Sequence, residues 1–462
     1  MKFPITGRIV RFVLMLTLPQ SVLLWWLCAG RRALSLSAPT VLTAIGVAAV
    51  YAYFLLRLHL FPVRRSGGCQ TRITILDGGQ YLVSFSIWGF FLQGILYLLM
   101  LTGHMPLLTE FSEATPALFA VNLVSGILFL FFLLLNGQLR ILFTCYRLGI
   151  VKRLLIICNL WVPVVNLFLM KYLCEKAKEE CDNERCRFTA RAARAESNVC
   201  ATKYPLIMVH GIGFRDLRYF NYWGRIPKEL VKNGAVVYYG HQQAWGTIED
   251  NAECIRRKIL QVLEENHCGK VNIIAHSKGG LDSRYLITHL HMASRIASLT
   301  TVSTPHRGSE LICVLNRLPD GIYRFISAYL DRTFSKFGDS RPDCYHASKQ
   351  LAPDYCTRFN EITPDSPEVY YQSYASVMKR IWSDSLLSIP NLIMDIAANP
   401  SNDGLVTEES AKWGTFKGTF RNGCRRGISH GDMIDLKRED YKGFDVIETY
   451  VEIVKELKDM GY

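Results

Sequence analysis

Hydrophobic positions divide the chain into two materials. The first part carries five long apolar runs, at about 9–29, 40–56, 81–101, 116–135 and 154–173. Each is 17–21 residues, the length at which a helix crosses a hydrocarbon core of about 30 Å. They hold few charges, and Trp25, Trp26, Arg31, Arg32 and Arg57 stand at their ends. That arrangement predicts transmembrane helices rather than buried core helices. The first run is too long for a signal peptide and is followed by further runs rather than a clear cleavage site. The fifth contains Asn159, Pro163 and Asn166, so it reads as a crossing or as a re-entrant hairpin. No cluster of charged residues lies within the runs, which predicts an anchor rather than an ion path.

Residues 174–200 are polar, mixed in charge, and read as a solvated spacer with some helical spacing. From 201 to 462 the period changes. Short apolar runs at 205–209, 235–239, 271–275, 298–303 and 367–377 alternate with helical patterns such as 248–266 and 281–296. This rhythm predicts a mostly parallel sheet with helices on both faces. Between 308 and 338, apolar residues recur at three and four (Leu311, Leu315, Ile322, Phe325, Tyr329), with Arg317, Arg324 and Asp331 between them. That insertion reads as an amphipathic lid or as a core-packing helix pair.

Candidate chemistry sits at the strand ends. In Val271-Asn-Ile-Ile-Ala-His-Ser-Lys-Gly-Gly280 a β-branched run meets Ser277 between Ala275 and Gly279. Small residues two before and two after a serine are what a sharp strand-to-helix turn requires. Upstream, the run 204–209 breaks into His210-Gly-Ile-Gly213. Such a loop supplies one oxyanion-hole N–H, and the residue after the nucleophile supplies the other. These donors are Ile212 and Lys278, whose side chains read as incidental. Downstream, Asn402-Asp-Gly404 offers Asp403 in turn chemistry, and Ser429-His-Gly431 offers His430 in a polar loop. Asp384 and Asp395 are the competing acids. The order Ser277, Asp403, His430 is that of the α/β-hydrolases, with His430 as base and Asp403 orienting it.

Six co-linear segments now carry a resemblance: Val209-His-Gly211, Ala275-His-Ser-Lys-Gly-Gly280, Arg284-Tyr285, Thr304-Pro-His-Arg-Gly-Ser309, Asn402-Asp-Gly-Leu-Val406 and His430-Gly-Asp432. From about Lys203 onward the chain resembles the bacterial family I triacylglycerol lipases, especially the Pseudomonas/Burkholderia-like group. The resemblance implies the same triad and oxyanion hole, a lipid or acyl-ester substrate, and a lid near 308–338. It implies no required cofactor. A structural Ca²⁺ near the catalytic His is a further implication, with Asp432 matching one ligand and Asp384 offering a second. Four residues past Asp432, where a side-chain amide belongs, stands Leu436.

The net charge of +13 gathers at the ends of the apolar runs and in the spacer. It points to a bilayer surface rather than nucleic acid, for which no motif is present. Lys2, Arg8 and Arg11, loop 57–80 (Arg57, Arg64, Arg65, Arg72) and loop 136–153 are basic, whereas loop 102–115 has no Lys or Arg. The positive-inside rule puts the basic segments in the cytoplasm. Five crossings then leave the hydrolase outside; if the fifth run does not cross, it is cytoplasmic. Fourteen cysteines leave the compartment open: Cys344 and Cys356 could bridge a short loop, and free thiols, Cys424 among them, are the alternative. Three activities share these residues: a membrane-anchored lipase or esterase, an acyltransferase or phospholipid/glycolipid deacylase, and a non-catalytic membrane scaffold.

Overall fold

The computed structural model describes residues 5–29, 38–63, 71–148, 150–159, 162–194, 198–215, 221–380, 383–384, 387–397, 401–423, 426–439, 441 and 443–462. Lys2, Arg31, Arg32, Arg64, Arg65 and Cys424 lie outside them. The chain forms two units, Met1–Ala190 and Arg191–Tyr462.

The first unit is helical: α1 (Ile5–Thr17), α2 (Ser21–Cys28), α3 (Ala38–Leu60), α4 (Thr71–Leu101), α5 (Pro106–Ala114), α6 (Pro116–Thr144), α7 (Ile150–Asn159) and α8 (Pro163–Arg194). Four stretches are long and apolar enough to cross a membrane: Arg8–Cys28, Val41–Leu60, Thr71–Leu101 and Pro116–Thr144. The first is interrupted at Pro19 by one tight turn, Leu18–Gln20, because proline removes a backbone donor. Polar side chains gather at this break. Gln20 Nε2 donates to Gln93 Oε1 at 2.6 Å, Asn122 Nδ2 donates to Gln20 Oε1 at 2.6 Å, and Gln93 Nε2 donates to the Met15 carbonyl at 3.0 Å. Helices α4 and α6 meet through Gly79 and Gly137: a Cβ on either would come within 2.9 Å of the other's carbonyl. Small residues let two backbones approach this closely.

In this unit the break that the hairpin alternative to a fifth crossing requires is present, and the spacer reading fails. The run 154–173 is not one helix, since α7 ends at Asn159 and α8 begins at Pro163. Proline fits the first turn of a new helix and breaks a continuing one. The expected solvated spacer instead continues α8 to Arg194, with Ala177, Glu180 and Cys181 buried. Several of its charges are paired. Glu180 accepts from Arg72, from Cys145 Sγ at 3.1 Å and from the Arg147 N–H at 3.0 Å, and Arg185 pairs with Asp77 at 2.7 Å.

The second unit holds a six-stranded parallel sheet of order β2-β1-β3-β4-β5-β6. Its strands are β1 (Leu206–Val209), β2 (Val237–Tyr239), β3 (Val271–His276), β4 (Ile296–Val302), β5 (Tyr370–Ser376) and β6 (Thr415–Phe420). The helices are α9 (Ile226–Lys232), α10 (Ile248–Glu265), α11 (Gly279–His289), α12 (Glu310–Leu315), α13 (Asp320–Lys336), α14 (Cys344–Lys349), α15 (Pro353–Ile362), α16 (Ser388–Ala397), α17 (Glu408–Ala411) and α18 (Val446–Asp459). Strand alternation builds two cores. Leu206, Met208 and Ile274 pack with Ile226 and Leu230 of α9 and Tyr450 and Val454 of α18. Ile207, Val209, Ile273 and Ala275 pack with Ile255 and Ile259 of α10 and Leu286 of α11. Successive strand residues point to opposite faces, so continuous apolar runs belong to strands covered on both sides. Each fully buried Leu, Ile or Val contributes about 1.5–3 kcal/mol relative to exposure. The expected parallel sheet is present; β6, half-exposed at the edge, is the strand that hydropathy did not mark.

Candidate active site

Ser277 occupies the turn between β3 and α11 with φ +55°, a conformation that strains any residue carrying a Cβ. The surrounding backbone enforces it. A Cβ on Gly279 would lie 2.5 Å from the His210 carbonyl oxygen, and one on Gly211 would lie 2.7 Å from Ser277 Cβ. The Ser277 N–H is bonded to the Val302 carbonyl at 3.1 Å, which fixes the turn to β4. Among the described residues, neither the Ile212 N–H nor the Lys278 N–H donates a hydrogen bond. The Lys278 side chain is not incidental: its ammonium pairs with Asp282 at 2.5 Å, both groups about 1% exposed. Asn251 Nδ2 also donates to Asp282 at 3.2 Å, tying the turn to α10. Burial pushes the Asp282 carboxyl up to about 6 against the pull of Lys278.

The acid and base meet on the adjacent loops. His430 Nδ1 is 2.9 Å from Asp403 Oδ2, and the His430 N–H donates to the Asp403 carbonyl at 2.9 Å. Asp403 Oδ1 accepts from the N–H groups of Leu405 (3.1 Å) and Val406 (2.9 Å), and Ser376 Oγ donates to Oδ2 at 3.3 Å. A carboxylate so held keeps the proton on Nδ1 and leaves Nε2 as the acceptor. The His430 ring packs on that of His276, the residue before Ser277, with centroids 4.4 Å apart. His276 is in turn bonded through Nδ1 to the Tyr222 hydroxyl at 2.7 Å. Burial, aided by the neighbouring His430, holds the His276 pKa well below the usual imidazole range. Among the described residues Ser277 and His430 form no hydrogen bond; such bonds are often long before substrate binds. The rival acids have other partners: Asp384 accepts from Ser429 Oγ at 2.7 Å, and Asp395, on α16, accepts from Asn402 Nδ2 at 2.8 Å.

Residues 203–312 match the family described as "Putative serine esterase (DUF676)". Triacylglycerol lipase 2 of Saccharomyces cerevisiae is 30% identical over 267 residues, covering 54% of this chain and 77% of the yeast protein. The chain belongs to the triacylglycerol lipase family. It is a carboxylic ester hydrolase. A triacylglycerol lipase of Burkholderia plantarii is 38% identical over 188 residues, 38% of this chain and 52% of its own length. The chain thus spans about half of that relative. Among solved structures, the mature form of a Bacillus licheniformis lipase aligns over 55% of this chain and 92% of its own, at 20% identity and a TM-score of 0.42.

In this ester hydrolase the two carboxylates expected for Ca²⁺ do not form a cation cage. Arg426 forks onto Asp432, with Nη2 2.9 Å from Oδ1 and Nη1 on Oδ2, and Lys437 donates to Asp384 Oδ1. Calcium takes about six to eight oxygens. Among the described residues no group of three His, Cys, Asp or Glu could hold a metal ion. Cys344 and Cys356 are free and buried, not bridged, and burial pushes both thiols up to about 12. The 308–338 insertion forms α12 and α13. Only Tyr323 and Ser327 of α13 are buried, whereas Phe325 is 76% exposed. Ile312 of α12, by contrast, packs in a core cluster with Leu281 and Leu351.

Proposed function

We propose that the chain is a membrane-anchored serine hydrolase of the bacterial family I type, cleaving acyl esters of lipids with Ser277, His430 and Asp403. The observation that carries this reading is the Asp403–His430 hydrogen bond beside a strained serine turn. His430 Nε2 takes the Ser277 proton as Oγ bonds to the ester carbonyl carbon. The resulting oxyanion accepts from the Ile212 and Lys278 N–H groups. Collapse breaks the bond to the alcohol oxygen, which receives the proton from His430. Water then attacks the acyl-serine by the same route and releases the acid.

Lipid as substrate class is supported by apolar residues facing outward: Ile322, Phe325 and Tyr329 on α13, and Ile389 and Ile396 on α16. On this reading α13 is a lid that opens onto a lipid surface. The four apolar helices are the anchor. An even number of crossings returns the chain to the side of its basic N-terminus, so the positive-inside rule assigns the hydrolase to the cytoplasmic side. This reverses the side that five crossings implied. The test is hydrolysis of p-nitrophenyl esters, from acetate to palmitate, by the full chain in detergent micelles. A rise with chain length supports a lipase. Turnover restricted to acetate would leave an esterase without lipid preference.

A further inference from the structure

The loop that presents His430 is bound by basic side chains wherever it turns an acidic group inward. Asp432, two residues after His430, is buried and accepts both arms of the Arg426 guanidinium. Its Oδ2 also accepts the Ser429 N–H at 2.9 Å, and Ser429 Oγ accepts the Asp432 N–H at 3.2 Å. Asp384 is buried as well. Its Oδ1 accepts from Lys437 Nζ and its Oδ2 from Ser429 Oγ at 2.7 Å. Asp435 is forked by Arg225, with Nε and Nη2 each at 2.8 Å. The Arg426 guanidinium also lies over the Tyr441 ring, 3.7 Å from its centroid. All four carboxylate oxygens of Asp432 and Asp384 already accept a hydrogen bond, and residue 436, a leucine, offers no side-chain oxygen.

We propose that Arg426 and Lys437 act here in place of a divalent cation, joining Asp432 and Asp384 across Ser429 and so fixing the loop that carries His430. One guanidinium and one ammonium supply the same two positive charges as a divalent ion. They bring their own hydrogen-bond geometry, so the site needs no metal loading. A buried carboxylate without its partner is costly, which makes both cations positioning residues for the base. The catalytic part of this inference rests on His430 being that base; the metal-independence part does not.

The test uses the full chain in detergent micelles. Wild type is expected to show no Ca²⁺ binding by titration calorimetry and the same melting temperature in EGTA as in CaCl₂. Arg426→Gln and Lys437→Met are expected to melt earlier and to lose about 10-fold or more in kcat, with KM within about two-fold. Lys437→Arg is expected to restore most of the rate. Saturable Ca²⁺ binding, or an EGTA-induced drop in melting temperature that Ca²⁺ reverses, would overturn the proposal. So would a Lys437→Met chain that melts and turns over like wild type. If a variant does not fold, the wild-type chelator and calorimetry arms still decide. The Ser277→Ala chain is expected to match wild type in those two arms, so a wrong triad would leave them standing.

Discussion

The two units share an apolar interior (Leu76, Phe85, Leu130 and Leu133 are buried in the helical one) and differ at their surfaces. In the helical unit, Leu42, Phe91, Val121 and Phe132 face outward, while Gln20, Gln93, Asn122 and Gln138 are buried. In the hydrolase unit, Ile, Val and Leu fill both cores, and buried polar side chains concentrate around Ser277, Asp403 and His430. On the proposed anchor reading, hydrocarbon outside lets apolar side chains face outward and requires polar groups to be satisfied internally. Water outside has the opposite effect on apolar side chains. The hydrolase breaks its own rule at α13 and α16, where Phe325 and Ile396 are 76% and 79% exposed. Those helices have the surface of the other unit, which is why a lipid interface is assigned to them.

The contrast can be broken at several points. The largest effects belong to the site: His430→Ala and Asp403→Asn should each cost about 10³–10⁴ in kcat/KM on a soluble ester, with melting temperature retained. An active Asp403→Asn would move the acid to Asp384 or Asp395. Next comes acid stability. Burial holds both His276 and His306 well below the usual imidazole range, aided by His430 for the first and by Arg284 and Arg307 for the second. Both stay neutral in the fold, whereas the unfolded chain binds those protons below about pH 6.5. The unfolded state then carries more protons, so stability rises with pH in this window. Acidification below it costs about 1.4 kcal/mol per pH unit for each histidine. The melting curve of His306→Gln against pH should be flatter on its acid side.

Smaller effects separate the units. Asn122→Leu strands the Leu23 N–H and the Gln20 amide. It should weaken the helical unit by about 1–3 kcal/mol while turnover of p-nitrophenyl acetate is unchanged. Loss of that turnover would mean the two units are coupled. Smallest of all, Phe325→Asp with Ile396→Asp should lower hydrolysis of vesicle-borne ester by about ten-fold, the value of roughly 1.4 kcal/mol of apolar contact, and spare acetate. Equal rates on vesicles would remove α13 and α16 from the lipid surface.

What the sequence made legible was local or strongly periodic. Strands β1, β3 and β4 showed as apolar runs because both faces are buried, whereas Thr415-Phe-Lys-Gly-Thr-Phe420 of β6 is an edge with no apolar run to mark it. Ser277 and Asp403 were readable from the turn residues beside them, Gly279 and Gly404. Apolar length suggested a fifth crossing, although Asn159 and Pro163 carried the signal of a break. The Tyr222–His276 bond, the Asn251–Asp282 bond and the Lys437–Asp384 pair were not readable. They join residues that only the folded sheet brings together, 54 positions apart for the first and 53 for the last.

The most direct measurement is covalent: the full chain in micelles is treated with a fluorophosphonate, and the modified residue is located by mass spectrometry. A single adduct on Ser277, absent from Ser277→Ala and much slower to form in His430→Ala, is the predicted result. An adduct elsewhere, or equal labelling of the Ser277→Ala chain, would contradict a nucleophile at the β3–α11 turn.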